Sequence, residues 1–288
     1  MQVLIIGGSG FLGNHLAHKL QSLGHNVTIF DNKKIVKKMK NIKFVFGSIT
    51  DIKKISNVAK RKDLIYNFAA ISDIEESLKK PKKTAEINII GNLNAIECAL
   101  KYKTKKFIFA STIYVHSAQG GFYKVSKQAS ELFLEEYYKR RKLPYTILRF
   151  GTIYGPGSSE NNGLKKIVYK AMVEKKLEYS GSKNAQRRFL HVDDAVNACV
   201  KAISQKYNNQ NLLITGEKMT KLTSVLKLVK KIFQLKTSAK FLNKKGSGHY
   251  DISPYSYKPK KDKKFFIRSS KNLTSGIKEL RDEINKAK

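Results

Sequence analysis

Hydrophobic residues arrive along this chain in short bursts separated by stretches of helical period. Residues 3–6, Val-Leu-Ile-Ile, form an apolar run without alternation, the pattern of a strand buried on both faces. Leu12, Leu16, Leu20 and Leu23 follow at about the spacing of a helix with one apolar face, which Gly24 and His25 end. The couple then repeats. Strands are predicted at 27–30, 42–46, 64–68, 107–109 and 145–150, with helices at 51–60, 84–99 and 123–142 between them. In the last of these helices, Ala129, Leu132, Phe133 and Tyr137 are assigned to the core side. Strands alternating with helices at this spacing imply an α/β fold built on a doubly wound parallel sheet.

Past Gly155-Pro156-Gly157 the rhythm changes. A polar loop at 158–163 leads into a helix at 164–176, and an extended piece at 187–194 runs into another helix from about Asp194. A strand is expected at 212–214. Leu222, Val225, Leu226, Val229, Ile232 and Phe233 then mark an amphipathic helix. A tail rich in Tyr, Pro and Lys begins at Gly246, and a last helix is expected at 272–285. This part is too short and broken to stand alone, so it should cap the carboxyl edge of the sheet. The expected division is a dinucleotide-binding domain over 1–156, joined by returning segments near 187–215, and a smaller substrate-binding region over 157–288.

Composition adds constraints. The 288 residues can bury a full core, and 41% hydrophobic content suits a globular chain. No stretch reaches the ~20 apolar residues that span a bilayer, and no basic leader precedes the first strand. Cys98 and Cys199 are the two cysteines, both inside expected helices, which fits a reducing cytoplasm. The net charge of +35 is large enough to raise nucleic-acid binding as a reading. Its distribution argues for a lysine-rich solvated surface instead. Pairs such as Lys79-Lys80, Lys105-Lys106 and Lys230-Lys231 are scattered along the whole length, without interleaved aromatics.

The candidate chemistry begins where the first strand meets the first helix. Gly7, Gly10 and Gly13 let the backbone approach a pyrophosphate at a helix N-terminus, where free N–H groups and the helix dipole favour its charge. Asp31 ends the second strand where a dinucleotide (Rossmann) fold places its ribose-binding acid. A carboxylate there repels a 2′-phosphate, so NAD is favoured over NADP, although Lys33 and Lys34 soften that preference. Tyr123 and Lys127 stand four apart, on one face of a helix. An ammonium and a nicotinamide cation beside a tyrosine favour its phenolate. Thr112 ends the fifth strand, where its hydroxyl could position a reacting sugar oxygen.

In order along nearly the first two hundred residues, Gly7-Gly-Ser-Gly-Phe-Leu-Gly13, Asn67-Phe-Ala-Ala70, Asn88-Ile-Ile-Gly91, Phe107-Ile-Phe-Ala-Ser-Thr112, Tyr123-Lys-Val-Ser-Lys127, Leu148-Arg-Phe-Gly-Thr-Ile-Tyr-Gly-Pro156 and Arg187-Arg-Phe-Leu-His-Val-Asp-Asp194 occur. The chain thereby resembles the extended short-chain dehydrogenases/reductases, in the branch of NAD-dependent nucleotide-sugar epimerases and dehydratases. The resemblance implies that Gly7, Gly10, Phe11, Leu12 and Gly13 hold the pyrophosphate and Asp31 the ribose. It puts Ser48 and Ile49 beside adenine, with serine where the family usually has aspartate. Phe68, Ala69, Ala70, Asn88, Lys127 and Phe150 would line the cofactor. Thr112, Tyr123 and Lys127 would be catalytic, and Thr112, Asn162 and Arg187 would touch a nucleotide-diphosphate sugar. No metal is implied, and a homodimer is compatible.

Four departures narrow the reading. Family dehydratases carry Asp-Glu directly after the threonine, and decarboxylating members have a glutamate there. This chain has Ile113-Tyr114, which disfavours elimination. Only eleven positions separate Thr112 from Tyr123, so that side of the pocket should be more open. Thr152 stands where the family commonly has asparagine. The tail around His249, Tyr250 and Tyr255 replaces the usual nucleotide-binding ending; it either helps hold substrate or packs the cap. His191 is expected to position the loop before Val192-Asp193-Asp194. These features favour an NAD-dependent epimerase acting at C4 of a nucleotide sugar. The alternatives are an NAD(P)-dependent keto-sugar reductase of the same family, or a non-catalytic protein of this fold that binds RNA or another anion.

Overall fold

The computed structural model describes residues 1–34, 41–242, 262–266 and 271–286. Each early apolar burst becomes a strand: β1 (Gln2–Ile6), β2 (Asn26–Asp31), β3 (Ile42–Phe46), β4 (Leu64–Asn67), β5 (Lys106–Thr112) and β6 (Tyr145–Phe150). Between them run α1 (Phe11–Ser22), α2 (Ile52–Ala59), α3 (Ile74–Lys79), α4 (Pro81–Ala85), α5 (Gly91–Lys101) and α6 (Gly121–Arg141). The later elements are β7 (Thr152–Tyr154), α7 (Gly163–Val173), β8 (Glu178–Ser180), β9 (Gln186–Arg187), β10 (Phe189–His191) and α8 (Val192–Lys201). After them come β11 (Gln210–Thr215), β12 (Thr220–Lys221), α9 (Leu222–Ile232), β13 (Lys240–Leu242), β14 (Asp262–Phe266) and α10 (Leu273–Lys286).

Eight strands form one parallel sheet in the order β14-β11-β6-β5-β4-β1-β2-β3. The chain leaves β1 toward β3, then returns to the other side of β1 and builds outward from β4. The strand order therefore reverses beside β1, and in such sheets a ligand crevice opens there, outside the carboxyl ends. Register sets those ends side by side: Ile6 pairs with Phe30 and Asn67, and Thr112 pairs with Phe150. The expected fold class is the one observed.

Alternate residues of β1 explain its unbroken apolar run. Val3 and Ile5 pack with Leu16, Leu20 and α8 on one face of the sheet, and Leu4 and Ile6 with Ile65, Ile96 and Leu134 on the other. A third apolar cluster, with Tyr154, Val168, Val225, Leu226, Ile277 and Leu280, belongs to the later elements. Among the described residues no helix is long and apolar enough to cross a membrane. Cys98 and Cys199 are buried and unpaired. The tail residues His249, Tyr250 and Tyr255 lie outside the described residues.

Two helices differ from their sequence expectation. In α6, Leu132 and Phe133 are 66% and 44% exposed, whereas Ser126, Lys127, Ser130, Glu131 and Leu134 are buried. Tyr137 does pack against the second core, but Leu132 and Phe133 do not reach one, because the side of α6 that meets the sheet is largely polar. The helix expected at 84–99 runs from Pro81 to Lys101 and contains a π-helical turn, Glu86–Ile90, between α4 and α5. Such turns are frequent at functional sites, and this one carries Asn88.

Candidate active site

The first part of the site is a turn shaped by missing side chains. Gly7 adopts φ +81°, and its nitrogen donates to Phe30 O at 2.9 Å. A Cβ on Gly13 would stand 2.5 Å from Gly7 O, and one on Gly7 would stand 2.5 Å from Ala69 N. Neither neighbour can yield, since both are backbone. Gly10 opens α1 with no side-chain cap and no acid in the first turn, which leaves the N–H groups of Phe11, Leu12 and Gly13 for a ligand. Ser9 Oγ is buried there without a hydrogen-bond partner. Asp31 closes the turn: its carboxylate accepts from Ser9 N and Lys33 N, both at 2.9 Å. An uncapped helix start, an orphaned hydroxyl and an acid at the end of β2 together fit a dinucleotide.

The residues expected to line the cofactor are placed less uniformly. Phe68 is partly buried and packs edge-on against Tyr66 at 5.7 Å. Ala69 N donates to Asn67 Oδ1 at 3.2 Å, and Ala70 follows, half-buried. Asn88 is 2% exposed and its amide is committed. It accepts from Ile71 N at 2.8 Å and donates to Ile71 O and Ser126 Oγ. It therefore fixes the loop after β4 against α6. Ser48 turns its hydroxyl to Thr50 at 2.7 Å, and Ile49 is buried in the second core beside Gly91. Phe150 is 6% exposed and packs in the first core, next to Thr112 across the β5–β6 register.

The second part of the site is a clasp between the end of β5 and one face of α6. Tyr123, Lys127 and Glu131 follow at one-turn spacing. Lys127 Nζ donates to Ala110 O at 2.8 Å and Ser111 Oγ donates to Glu131 Oε1, while the Thr112 side chain acts on the Tyr123 phenol. Two consecutive strand residues are thus gripped by two successive helical turns. Tyr123 N donates to Ser77 Oγ at 3.2 Å, which ties the start of α6 to α3. Burial pushes the Tyr123 phenol up to about 12, with the Thr112 hydrogen bond pulling the other way. Burial likewise brings the Lys127 ammonium down to about 7, opposed by the charge of Glu131. Lys127 Nζ sits 6.0 Å from the centre of the Tyr123 ring, over Phe109 at 4.6 Å.

Behind the clasp lies a buried ion pair that the sequence reading missed. Arg149 Nη2 donates to Glu131 Oε2 at 2.6 Å and its Nε to Oε1 at 3.0 Å, with both side chains under 10% exposed. Arg149 Nη1 meets His116 Nε2 at 2.9 Å. His116 ends the 3₁₀ turn Ile113–His116, whose start Thr112 caps by accepting from Tyr114 N at 3.3 Å. Ile113 is buried against Leu213, so the position after Thr112 faces an apolar contact. The signal for Glu131 was its place one further turn along from Tyr123 and Lys127; Arg149 lay within the Leu148–Pro156 motif with no sign of its partner, and for His116 no local pattern existed.

On the far side, Asn162 caps α7, accepting from Leu164 N and Lys165 N and donating to Ile153 O at 2.9 Å. Arg187 is 8% exposed and donates to Gln186 O at 2.9 Å and to Tyr179 OH at 3.4 Å. Thr152 opens β7, half-buried. His191 does position its loop: Nδ1 accepts from Asp193 N at the start of α8, and Nε2 meets Glu279 of α10 at 3.0 Å. Among the described residues no cluster of His, Cys, Asp and Glu could hold a metal ion.

A doubly wound sheet with an uncapped glycine turn at its switch point and a Thr-Tyr-Lys clasp beside it defines a nucleotide-cofactor enzyme of the short-chain dehydrogenase/reductase type. Residues 3–214 match the model of the NAD dependent epimerase/dehydratase family, and the chain belongs to that family, with NAD as its cofactor. The UDP-N-acetyl-alpha-D-glucosaminuronate decarboxylase of Bacillus cytotoxicus is 31% identical over 242 residues, covering 74% of each chain. The dTDP-D-glucose 4,6-dehydratase of Dictyostelium discoideum is 30% identical over 234 residues, 68% of this chain; the match spans only 54% of that longer relative. Among solved structures, UDP-glucose 4-epimerase of Thermotoga maritima with UDP-glucose superposes with a TM-score of 0.84 at 25% identity, covering 100% of this chain and 99% of its own.

Proposed function

We propose that the protein is an NAD-dependent epimerase that inverts C4 of a nucleotide-diphosphate sugar. The observation that carries this reading is the chemistry around Thr112. Tyr123 and Lys127 supply a proton acceptor and a charge, while Ile113, buried against Leu213, and Tyr114 offer no carboxylate for elimination or decarboxylation. Gly7, Gly10, Gly13, Asp31 and the first N–H groups of α1 would hold NAD. When bound, NAD supplies the acceptor for the hydride leaving C4 and returns it to the other face, so none is consumed.

The chain's own residues move and hold the proton. Thr112 orients the sugar hydroxyl, and Tyr123 Oη takes its proton as the carbon is oxidised and gives it back on reduction. Because burial holds the Tyr123 phenol high, its ionisation needs positive charge on both flanks, from Lys127 and from the cofactor. The region 157–288 would bind the nucleotide sugar, with Arg187 meeting the diphosphate as a forked donor. Asn162, its amide spent on α7, would fix the helix end beside it. The net charge of +35 draws in such an anion.

A homodimer is part of the proposal. Leu78, Ile90, Phe122, Val125, Leu132 and Phe133 are exposed on α3, the π turn and α6, an apolar face that a second copy would cover. Sedimentation should give a dimer, and Leu132→Glu with Phe133→Glu a monomer. The reaction is tested by a panel of UDP- and dTDP-sugars, with thermal shift to find the ligand and NMR to identify the product. The expected product is the C4 epimer. A deoxy-keto or decarboxylated product, or steady growth of reduced cofactor, would replace this reading.

A further inference from the structure

The Ser111–Glu131–Arg149–His116 cluster touches neither the glycine turn nor the Tyr123 hydroxyl in any contact described above, yet it is buried directly behind the clasp. Glu131 is 4% exposed and Arg149 7%. Taking such a pair out of water is costly, and well-packed apolar residues would serve the fold as well. Lys127 is 2% exposed, with Ala110 O as its hydrogen-bond acceptor, and a buried ammonium needs a nearby negative charge to keep its proton. The buried carboxylate one turn along the same helix is Glu131.

We propose that Glu131 is a positioning residue for the reaction, holding Lys127 in its charged form, and that Arg149, Ser111 and His116 fix the Glu131 carboxylate for that task. This rests on the assignment of Lys127 to the catalytic set. The geometry divides the work. Both Glu131 oxygens are taken by Arg149, and Ser111 donates to Oε1. These donors fix the carboxylate in place one turn from Lys127. His116 Nε2 engages the remaining Arg149 nitrogen, so the guanidinium is anchored from the 3₁₀ turn that Thr112 caps. Lys127 meets the Tyr123 ring on its own helix and Phe109 and Ala110 on β5, with Glu131 one turn further along and Arg149 of β6 behind Glu131. Glu131 is the charged group that acts on Lys127 to raise its proton affinity.

The consequence is a sign that a packing role would not produce. With Glu131→Gln the charge is lost and the shape kept, so Lys127 should release its proton at lower pH than in the parent. If Glu131 only held the helix in place, the shape-keeping change would leave Lys127 where it is, and any loosening that let water in would move it the opposite way, toward an ordinary lysine near 10.4.

The test is titration of the full chain, labelled with lysine carrying ¹³C at Cε and followed by NMR with and without NAD. The Lys127 signal is assigned by its absence in Lys127→Arg. A fall of about one pH unit or more in Glu131→Gln is expected, with Glu131→Asp, which retains the charge, lying closer to the parent. An unchanged or raised midpoint in Glu131→Gln would overturn the proposal. Should Glu131→Gln fail to melt cooperatively, the neutral double variant Glu131→Gln/Arg149→Met makes the same measurement, with the same fall expected and the same contrary result. Because the readout needs no substrate, it stands apart from whether the enzyme is an epimerase.

Discussion

At the β1–α1 turn, the site is shaped by absent atoms. Gly7 and Gly13 are excluded from carrying a side chain because a Cβ would strike backbone at 2.5 Å, and the helix start is left uncapped. At the β5–α6 end, the site is shaped by atoms present and paired: Ala110 with Lys127, Ser111 with Glu131, and Arg149 behind them. One end is fixed by sterics and needs no charge. The other is fixed by buried polar groups, whose strength and protonation depend on each other. Sterics suits a site that must hold the same anionic group through every turnover. Paired charges suit a site that must pass a proton back and forth.

The contrast predicts different failures. At the polar end, Tyr123→Phe removes the proton acceptor and little else, so turnover should fall by about 10³-fold or more while NAD affinity stays within a few-fold. Steady-state rates and cofactor titration measure both, and full activity would break the assignment. At the steric end, Gly13→Ala should do the reverse. It should cost NAD affinity at least about tenfold and stability about 1–3 kcal/mol, because Gly7 O cannot move aside. Its control is Gly24→Ala, at φ +79° with nothing within 4 Å of the new methyl. That change should cost only about 1 kcal/mol of backbone strain, without touching NAD binding.

Between the two ends sits Asn88. Asn88→Ala leaves Ile71 N and O and Ser126 without their partner, so a loss of about 1–3 kcal/mol in thermal or denaturant unfolding is expected. A smaller fall in NAD affinity should accompany it, since the loop after β4 is loosened.

The gentlest test separates the ends by pH. Lys127 titrates near 7 in the folded protein, below its unfolded value. Between those values the unfolded chain binds more protons than the folded one, so this group makes stability rise with pH. That contribution is fully present above the unfolded value and is lost as pH falls through about 7. Melting across pH 7 to 9 should show the rise in the parent and a weaker one in Lys127→Met. The steric end should contribute nothing to the difference.

The same contrast explains what could be read from the chain. Gly7, Gly10, Gly13 and Asp31 were legible because backbone geometry admits few residue types at fixed spacing, and the parallel sheet because both of its faces are apolar. The face of α6 was misread for the opposite reason. Leu132 and Phe133 look like core and are exposed, while Lys127 and Glu131 look like surface and are buried. Partners such as Arg149 and His116 come together only in the fold, from β6 and a 3₁₀ turn, so no local spacing reveals them. Asn162 and Arg187 were legible as positions, but the hydrogen bonds that occupy them were not.

Inversion at C4 without net redox or elimination is the central claim, and incubation with a turned-over nucleotide sugar in deuterated water tests it most directly. An epimerase of this kind exchanges only the hydroxyl proton with Tyr123 and restores the same ring hydrogen. NMR should therefore show the C4 epimer accumulating to equilibrium with no deuterium on any ring carbon. Deuterium at C5 or C6, or a keto product that does not revert, would mean that the site performs elimination despite Ile113 and Tyr114, and the account would be wrong.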